Sequence, residues 1–112
     1  MKKVEAIIRE DSFAKVKHAL EDKGFTSMTI SDVSGRGQQK GVTLKWRAGE
    51  HRVEFLSKKK IEIVIEDKDI DTVIDIICEN CQTGSFGDGK IFVIPVDEVV
   101  RIRTKEKGAE AV

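Results

Sequence analysis

Residues 60–81 read KIEIVIEDKDIDTVIDIICENC, and the hydrophobic period changes halfway along them. Ile61, Ile63 and Ile65 alternate with Glu62 and Val64, the period of two that belongs to a strand. From Ile70 onward the apolar positions are Ile70, Val73, Ile74, Ile77 and Cys81, at i, i+3, i+4, i+7 and i+11, which is one stripe of a helix. Asp67 stands where its side chain can cap that helix. The stretch therefore reads as a strand feeding directly into a helix.

Working outward, the same pair of elements occurs earlier. Residues 2–9, KKVEAIIR, place Val4, Ala6 and Ile8 on one strand face. Asp11 or Ser12 can cap a helix carrying Phe13, Val16 and Leu20, and Gly24 can end it. Residues 26–34, TSMTISDVS, are β-branched and hydroxylated, as a second strand requires. Beyond Cys81 come a glycine loop, a strand KIFVIPV over 90–96, and an extended piece EVVRIRT over 98–104, with Arg101 and Arg103 on one face. Patterning lapses over residues 35–57, an uncommonly long irregular stretch for a compact domain. It holds the only tryptophan, Trp46, between Lys45 and Arg47. That stretch is either a solvated hairpin or a partner-binding arm, since exposed Trp and Arg anchor interfaces.

The element order predicts an α+β, ferredoxin-like split βαβ fold (βαββαβ), a single domain over 1–112. Both helices should cover one face of a four-stranded antiparallel sheet.

Composition narrows the function. Lys plus Arg and Asp plus Glu number 20 each, so there is no global field for nucleic acid. No apolar run approaches the ~18 residues of a membrane span, and MKKVEAIIRE is too charged for a secretory signal. A cytoplasmic protein is expected. Cys78 and Cys81 form C-x-x-C, but only His18 and His51 could complete a zinc set, with no metal-site spacing. A thioredoxin-like pair sits at a helix start, whereas these end a helix. They read as plain buried thiols.

Within TGSFGDGKIFV, residues 83–93, Gly84, Gly89 and Lys90 satisfy G-x-x-x-x-G-K, the opening of a Walker loop. Ile91 replaces the magnesium-holding hydroxyl, and the loop runs from a helix into a strand, the reverse of the Walker context. P-loop hydrolysis is rejected. Two readings stay open: a glycine turn with a solvated basic edge, or an anion nest. For the nest, Gly84, Gly87 and Gly89 allow positive φ and Lys90, Arg101 and Arg103 supply charge.

The run TGSFGDGKIFVIPVDEVVRIRT resembles the C-terminal signature of the PII signal-transduction proteins, and the likeness is collinear over nearly the whole chain. It includes MKKVEAIIRE, GFTSMTISDVSGRGQQKG and FLSKKKIEIVIEDKDIDTVIDII. The resemblance implies a homotrimer that binds ATP or ADP between subunits and, with MgATP, 2-oxoglutarate. It implies a T-loop over about 37–56 through which nitrogen and energy status reach an ammonium channel or nitrogen-metabolism enzymes and regulators. No nucleic-acid partner is implied, and membrane contact only through a transporter. Carried over, Gly87, Asp88, Gly89 and Lys90 wrap the phosphates, with Arg101 and Arg103 reaching in. Thr29 and Val64 lie by the adenine, and Gly37, Gln38 and Gln39 close the cleft. Gln39 contacts magnesium, and Gln39, Lys40, Gly41 and Lys58 hold 2-oxoglutarate. Trp46 and Arg47 meet a partner, the arginine able to plug a channel pore.

The T-loop departs from the family pattern. Trp46, Arg47, Ala48, Gly49, Glu50 and His51 stand in place of Tyr-Arg-Gly-Ala-Glu-Tyr, and the chain has no tyrosine to uridylylate. Gly49 replaces a serine phosphorylated in some relatives. Gln38 and Ser85 replace a frequent arginine and lysine, and Ser57 a frequent proline. No general base or nucleophile is evident, so a non-catalytic regulator is expected. The rival readings are an adenylate-only sensor without 2-oxoglutarate response, a small ATP-hydrolysing enzyme, and a nucleotide-blind structural or metal-handling protein of the same shape.

Overall fold

A computed structural model describes residues 1–36, 42–46, 49–53 and 55–112, with backbone alone for 42–46 and 49–53. Its elements are β1 (Lys2–Arg9), α1 (Phe13–Asp22), β2 (Thr29–Gly35), β3 (Val42–Trp46), β4 (Gly49–Val53), β5 (Leu56–Ile65), α2 (Ile70–Cys81) and β6 (Gly89–Pro95). The main sheet runs β2-β5-β1-β6 and every pairing in it is antiparallel. This is the ferredoxin-like order expected from the sequence.

The alternation read in the sequence sets the layers. Val4, Ala6 and Ile8 of β1 and Ile61, Ile63 and Ile65 of β5 are buried against Val16 and Leu20 of α1 and Val73, Ile76, Ile77 and Cys81 of α2. Both helices thus lie on one face. The opposite face of β1 and β5 is charged and uncovered by helix. There Glu5 sits directly across from Glu62, a like-charge pair that would repel if left alone. Lys3 lies 3.2 Å from Glu62 and 3.6 Å from Glu5, and Lys60 lies 3.6 Å from Glu62 and 3.8 Å from Glu5. The pairing shows in both groups: the hydrogen bond to Glu62 raises the Lys3 ammonium pKa, and the same bond lowers that of the Glu62 carboxyl.

Three local expectations are corrected. Neither helix takes a side-chain cap; each is entered through a 3-10 turn, Glu10–Ser12 and Asp67–Asp69. Asp67 instead accepts from the N-terminal ammonium at 3.0 Å and from Lys2 at 3.3 Å, contacts no local pattern could reveal. The long stretch between β2 and β5 contains a hairpin, as one of its two readings expects: β3 pairs with β4 in register Val42↔Val53 to Trp46↔Gly49. Residues 98–104 do not form an extended piece. A bridge Val100↔Lys107 closes a turn in which Lys105 donates its amide to Arg101 O at 2.7 Å with φ 61°. Lastly, Cys78 is exposed and only Cys81 is buried.

Candidate functional site

The glycine loop is built around its own aspartate. Gly84, Gly87 and Gly89 take φ of 83°, 90° and 120°, values that side chains disfavour. The Asp88 carboxylate accepts from the Thr83 amide at 2.7 Å, the Gly84 amide at 3.0 Å and the Thr83 hydroxyl. Thr83, through its hydroxyl first and its amide next, holds the Asp88 carboxyl below the usual carboxylate range. The first two amides of the supposed nest are therefore occupied from within. Asp88 shapes the loop, and the surface left for an anion is the later half, Phe86 to Lys90.

Two cations face that half. Arg9 and Lys58 are register partners at the ends of β1 and β5. Lys58 donates to Gly87 O at 2.8 Å, and Arg9 Nη2 to Phe86 O at 2.6 Å. A methyl group placed on Gly87 would lie 3.4 Å from Arg9 Nη2 and 3.6 Å from Lys58 Nζ. Lys58 is only 9% exposed. Burial, with the Arg9 charge beside it, pushes its ammonium pKa below the ordinary value of 10.5. Arg9 Nε is buried without a hydrogen bond among the described residues, and Asp88 Oδ1 lies 3.4 Å away. Asp88 contacts Arg9, and Asp11 and Asp88 both act on Lys58; with the orphaned Arg9 N–H, the two adjacent cations still fit an additional anion.

Arg9 was not singled out in the sequence. A signal for it existed: pairing β1 with β5 puts Arg9 directly opposite Lys58, and opposed like charges call for a counter-ion. Lys90 is exposed and paired with Ile7 at the same end of the sheet.

The other residues expected at the site lie elsewhere in the subunit. Thr29 pairs with Glu62, and Val64 with Lys3. Along β5, Lys58 and Val64 are six residues apart, about 20 Å of strand. After β6 the chain leaves beside Met1, whose carbonyl accepts from the Val96 amide. Arg101 is held by Glu106 at 3.3 Å and by Glu110 O at 3.1 Å, and Arg103 is exposed in the turn. Ala109 and Val112 close a cleft of about 270 Å³ with Thr26, Ser27, Val64 and Lys68. Val64, Arg101 and Arg103 thus belong to the end of the sheet away from Arg9, Lys58 and the glycine loop, and Thr29 lies between the two ends, beside Glu62. Gly37, Gln38, Gln39, Lys40, Gly41 and Arg47 lie outside the described residues, and Trp46 is described in its backbone only. At the base of that segment Arg36 stacks over the Phe55 ring, 5.2 Å from its centroid, and Gly35 pairs with Leu56.

A sequence model of the family described as "Nitrogen regulatory protein P-II" matches residues 1–106. The chain belongs to the P-II family. A nitrogen regulatory protein P-II of Microchaete diplosiphon is 55% identical over 112 residues, covering the whole of both chains. A nitrogen regulatory protein P-II 2 of Methanothermobacter thermautotrophicus is 52% identical, covering all of this chain and 97% of that one. A nitrogen regulatory protein P-II of Synechocystis sp. is 54% identical over both full lengths. P-II membership makes the protein a signal-transduction regulator that acts through other proteins. Among the described residues no helix is long and apolar enough to cross a membrane.

Proposed function

We propose that this P-II protein senses ATP and ADP, and with magnesium 2-oxoglutarate, in a cleft completed by a second copy of the chain within a homotrimer. The observation that carries the reading is the division of the site. Arg9, Lys58 and Gly87 to Lys90 sit at one end of the sheet; Val64, Arg101 and Arg103 belong to the other, with Thr29 between. That separation favours a cleft whose second wall comes from a neighbouring subunit. The surface supports association as well: edge strand β6 exposes Phe92, Val93 and Ile94 at 46%, 40% and 39%, on a strand with one unpaired side.

Within such a cleft Gly87 to Lys90 face the phosphates and Arg101 and Arg103 come from the neighbour. Thr29 and Val64 flank the adenine. Lys58, already charged and turned toward Gly87, takes a carboxylate of 2-oxoglutarate. Gln39 would hold magnesium through its amide oxygen, and the ion would supply positive charge that offsets the phosphates and the oxo acid. Gln39, Lys40 and Gly41 lie at the start of the T-loop and Lys58 follows its end, so ligands that grip both ends bias the loop. A ligand shifts the loop only as far as it prefers one loop state over another. The loop then carries the signal to a target such as an ammonium channel, with Trp46 and Arg47 as contacts, or to a nitrogen-metabolism enzyme or regulator.

Calorimetric titration tests this, with ATP first and then 2-oxoglutarate in the presence and absence of saturating MgATP. Binding of 2-oxoglutarate only with MgATP is the expected result. ATP binding alone would leave an adenylate sensor, and no ATP binding would overturn the reading.

A further inference from the structure

The pair Cys78 and Cys81 has no part in the function proposed above, yet it sits at the root of the glycine loop. The two are three residues apart on the last turn of α2, and Gln82 donates its amide to Cys78 O at 2.9 Å as the helix's final bond. Thr83, one residue later, begins the Asp88-centred loop. Both cysteines also line one cavity of about 440 Å³ together with Ile77, Asp88, Gly89 and Lys90. Whatever moves this last turn therefore moves the loop's first anchor.

We propose that Cys78 and Cys81 form a reversible intramolecular disulfide by exchange with a low-molecular-weight disulfide, and that this loosens the Thr83–Asp88 loop. Cys78 is the exposed sulfur and reacts first. Its thiolate attacks one sulfur of the small disulfide, forming a mixed disulfide and releasing one thiolate, which takes up a proton. The Cys81 thiolate then attacks Cys78 Sγ, the Cys78–Cys81 bond forms, and the second small thiol leaves. Two protein thiols are oxidised and one small disulfide is reduced to two thiols, so electrons balance.

Geometry explains why the bond reaches the loop. Residues at i and i+3 of a helix hold their Cβ atoms about 5–6 Å apart, whereas a disulfide needs roughly 3.5–4.5 Å. Closing that gap requires the last turn to tighten or open, and the Gln82 amide bond to Cys78 O lies in that turn. The second step should be the slow one. Burial pushes the Cys81 thiol up to about 11, so few molecules carry the attacking thiolate at neutral pH. The mixed disulfide at Cys78 accumulates first and closes faster as pH rises.

The test uses the full chain in oxidised glutathione, followed by mass spectrometry and amide hydrogen exchange. The expected result is loss of two hydrogen masses after a transient glutathione adduct, reversed by dithiothreitol. Exchange at Gln82, Thr83 and Gly84 should quicken by about tenfold or more. Cys78→Ser, a change at an exposed position, should abolish both the mass loss and the quickening. A stable adduct that never closes, or no reaction, overturns the proposal, and so does a disulfide that leaves exchange at these amides unchanged. Neither readout needs a nucleotide, so failure here is distinct from failure of the ATP reading.

Discussion

Gly89→Ala isolates the contact that seats the glycine loop on the sheet. A Cβ at Gly89 would fall 2.1 Å from Ile7 O, 3.1 Å from Ile7 C and 3.2 Å from Ile8 Cα, all backbone atoms that cannot rotate away. The residue also has φ of 120°. To accommodate the methyl, the first rung of β6 must retreat from β1 by roughly 1 Å, breaking the Ile8↔Gly89 pairing. The lost rung costs about 1 kcal/mol, and the strained backbone adds about 2 kcal/mol. Gly84→Ala is the internal control, since Gly84 has φ of 83° but no atom within 4 Å of its Cβ position, leaving only a left-handed penalty of about 1 kcal/mol. Urea unfolding followed by circular dichroism, at one fixed protomer concentration, should therefore place Gly89→Ala about 2 kcal/mol below Gly84→Ala. In thermal unfolding the gap is about 10 °C. If the two variants unfold together, the close approach to Ile7 is not what fixes this loop, and the argument fails.

Asp88→Ala should speed exchange of the Thr83 and Gly84 amides by about tenfold, while Asp88→Asn, which keeps an acceptor oxygen, loses less. Because hydrogen bonds from Thr83 depress the Asp88 pKa from 3.8, its contribution is present above that value and lost as pH falls through the lower folded-state one; exchange at Gly84 under acid conditions reads this. Lys58 has its pKa depressed below 10.5 by burial and Arg9, so 2-oxoglutarate affinity should fall at alkaline pH before ordinary lysines titrate. Calorimetry across pH should show the fall move later in Lys58→Arg. Lys90→Ala and the double variant Arg101→Ala/Arg103→Ala should each weaken ATP binding severely as homotrimers. Mixed and reassembled in equal amounts, they should regain about a quarter of the sites, because each supplies the half that the other lacks. No recovery on mixing would place both halves of the site in one subunit.

Much of this protein is written in local periodicity. The switch of period across residues 60–81 assigns β5 and α2, and the same rule assigns β1 and α1, because a buried face must repeat with the geometry of its own element. The reversed context of the glycine loop, α2 before and β6 after, was equally legible and is the opposite of the Walker order. Caps were not. Whether Asp67 caps α2 or pairs with the N-terminal ammonium depends on where residue 1 lands in space. Residues 98–104 alternate like a strand, yet bend into a turn closed by the bridge between Val100 and Lys107.

The candidate site divides in the same way. The sequence alone named candidates to meet an anion: three glycines, Asp88, Lys90 and scattered cations, Arg9 not among them. Only the tertiary structure decided their roles. Antiparallel register set Arg9 beside Lys58 under Gly87, the fold turned the Asp88 carboxylate inward onto Thr83 and Gly84, and the C-terminal turn carried Arg101 and Arg103 to the far end of the sheet. The physical reason is range. Propensity and periodicity act over a few residues, whereas a charge acquires its partner from whatever the folded chain brings within a few ångströms, however distant in sequence.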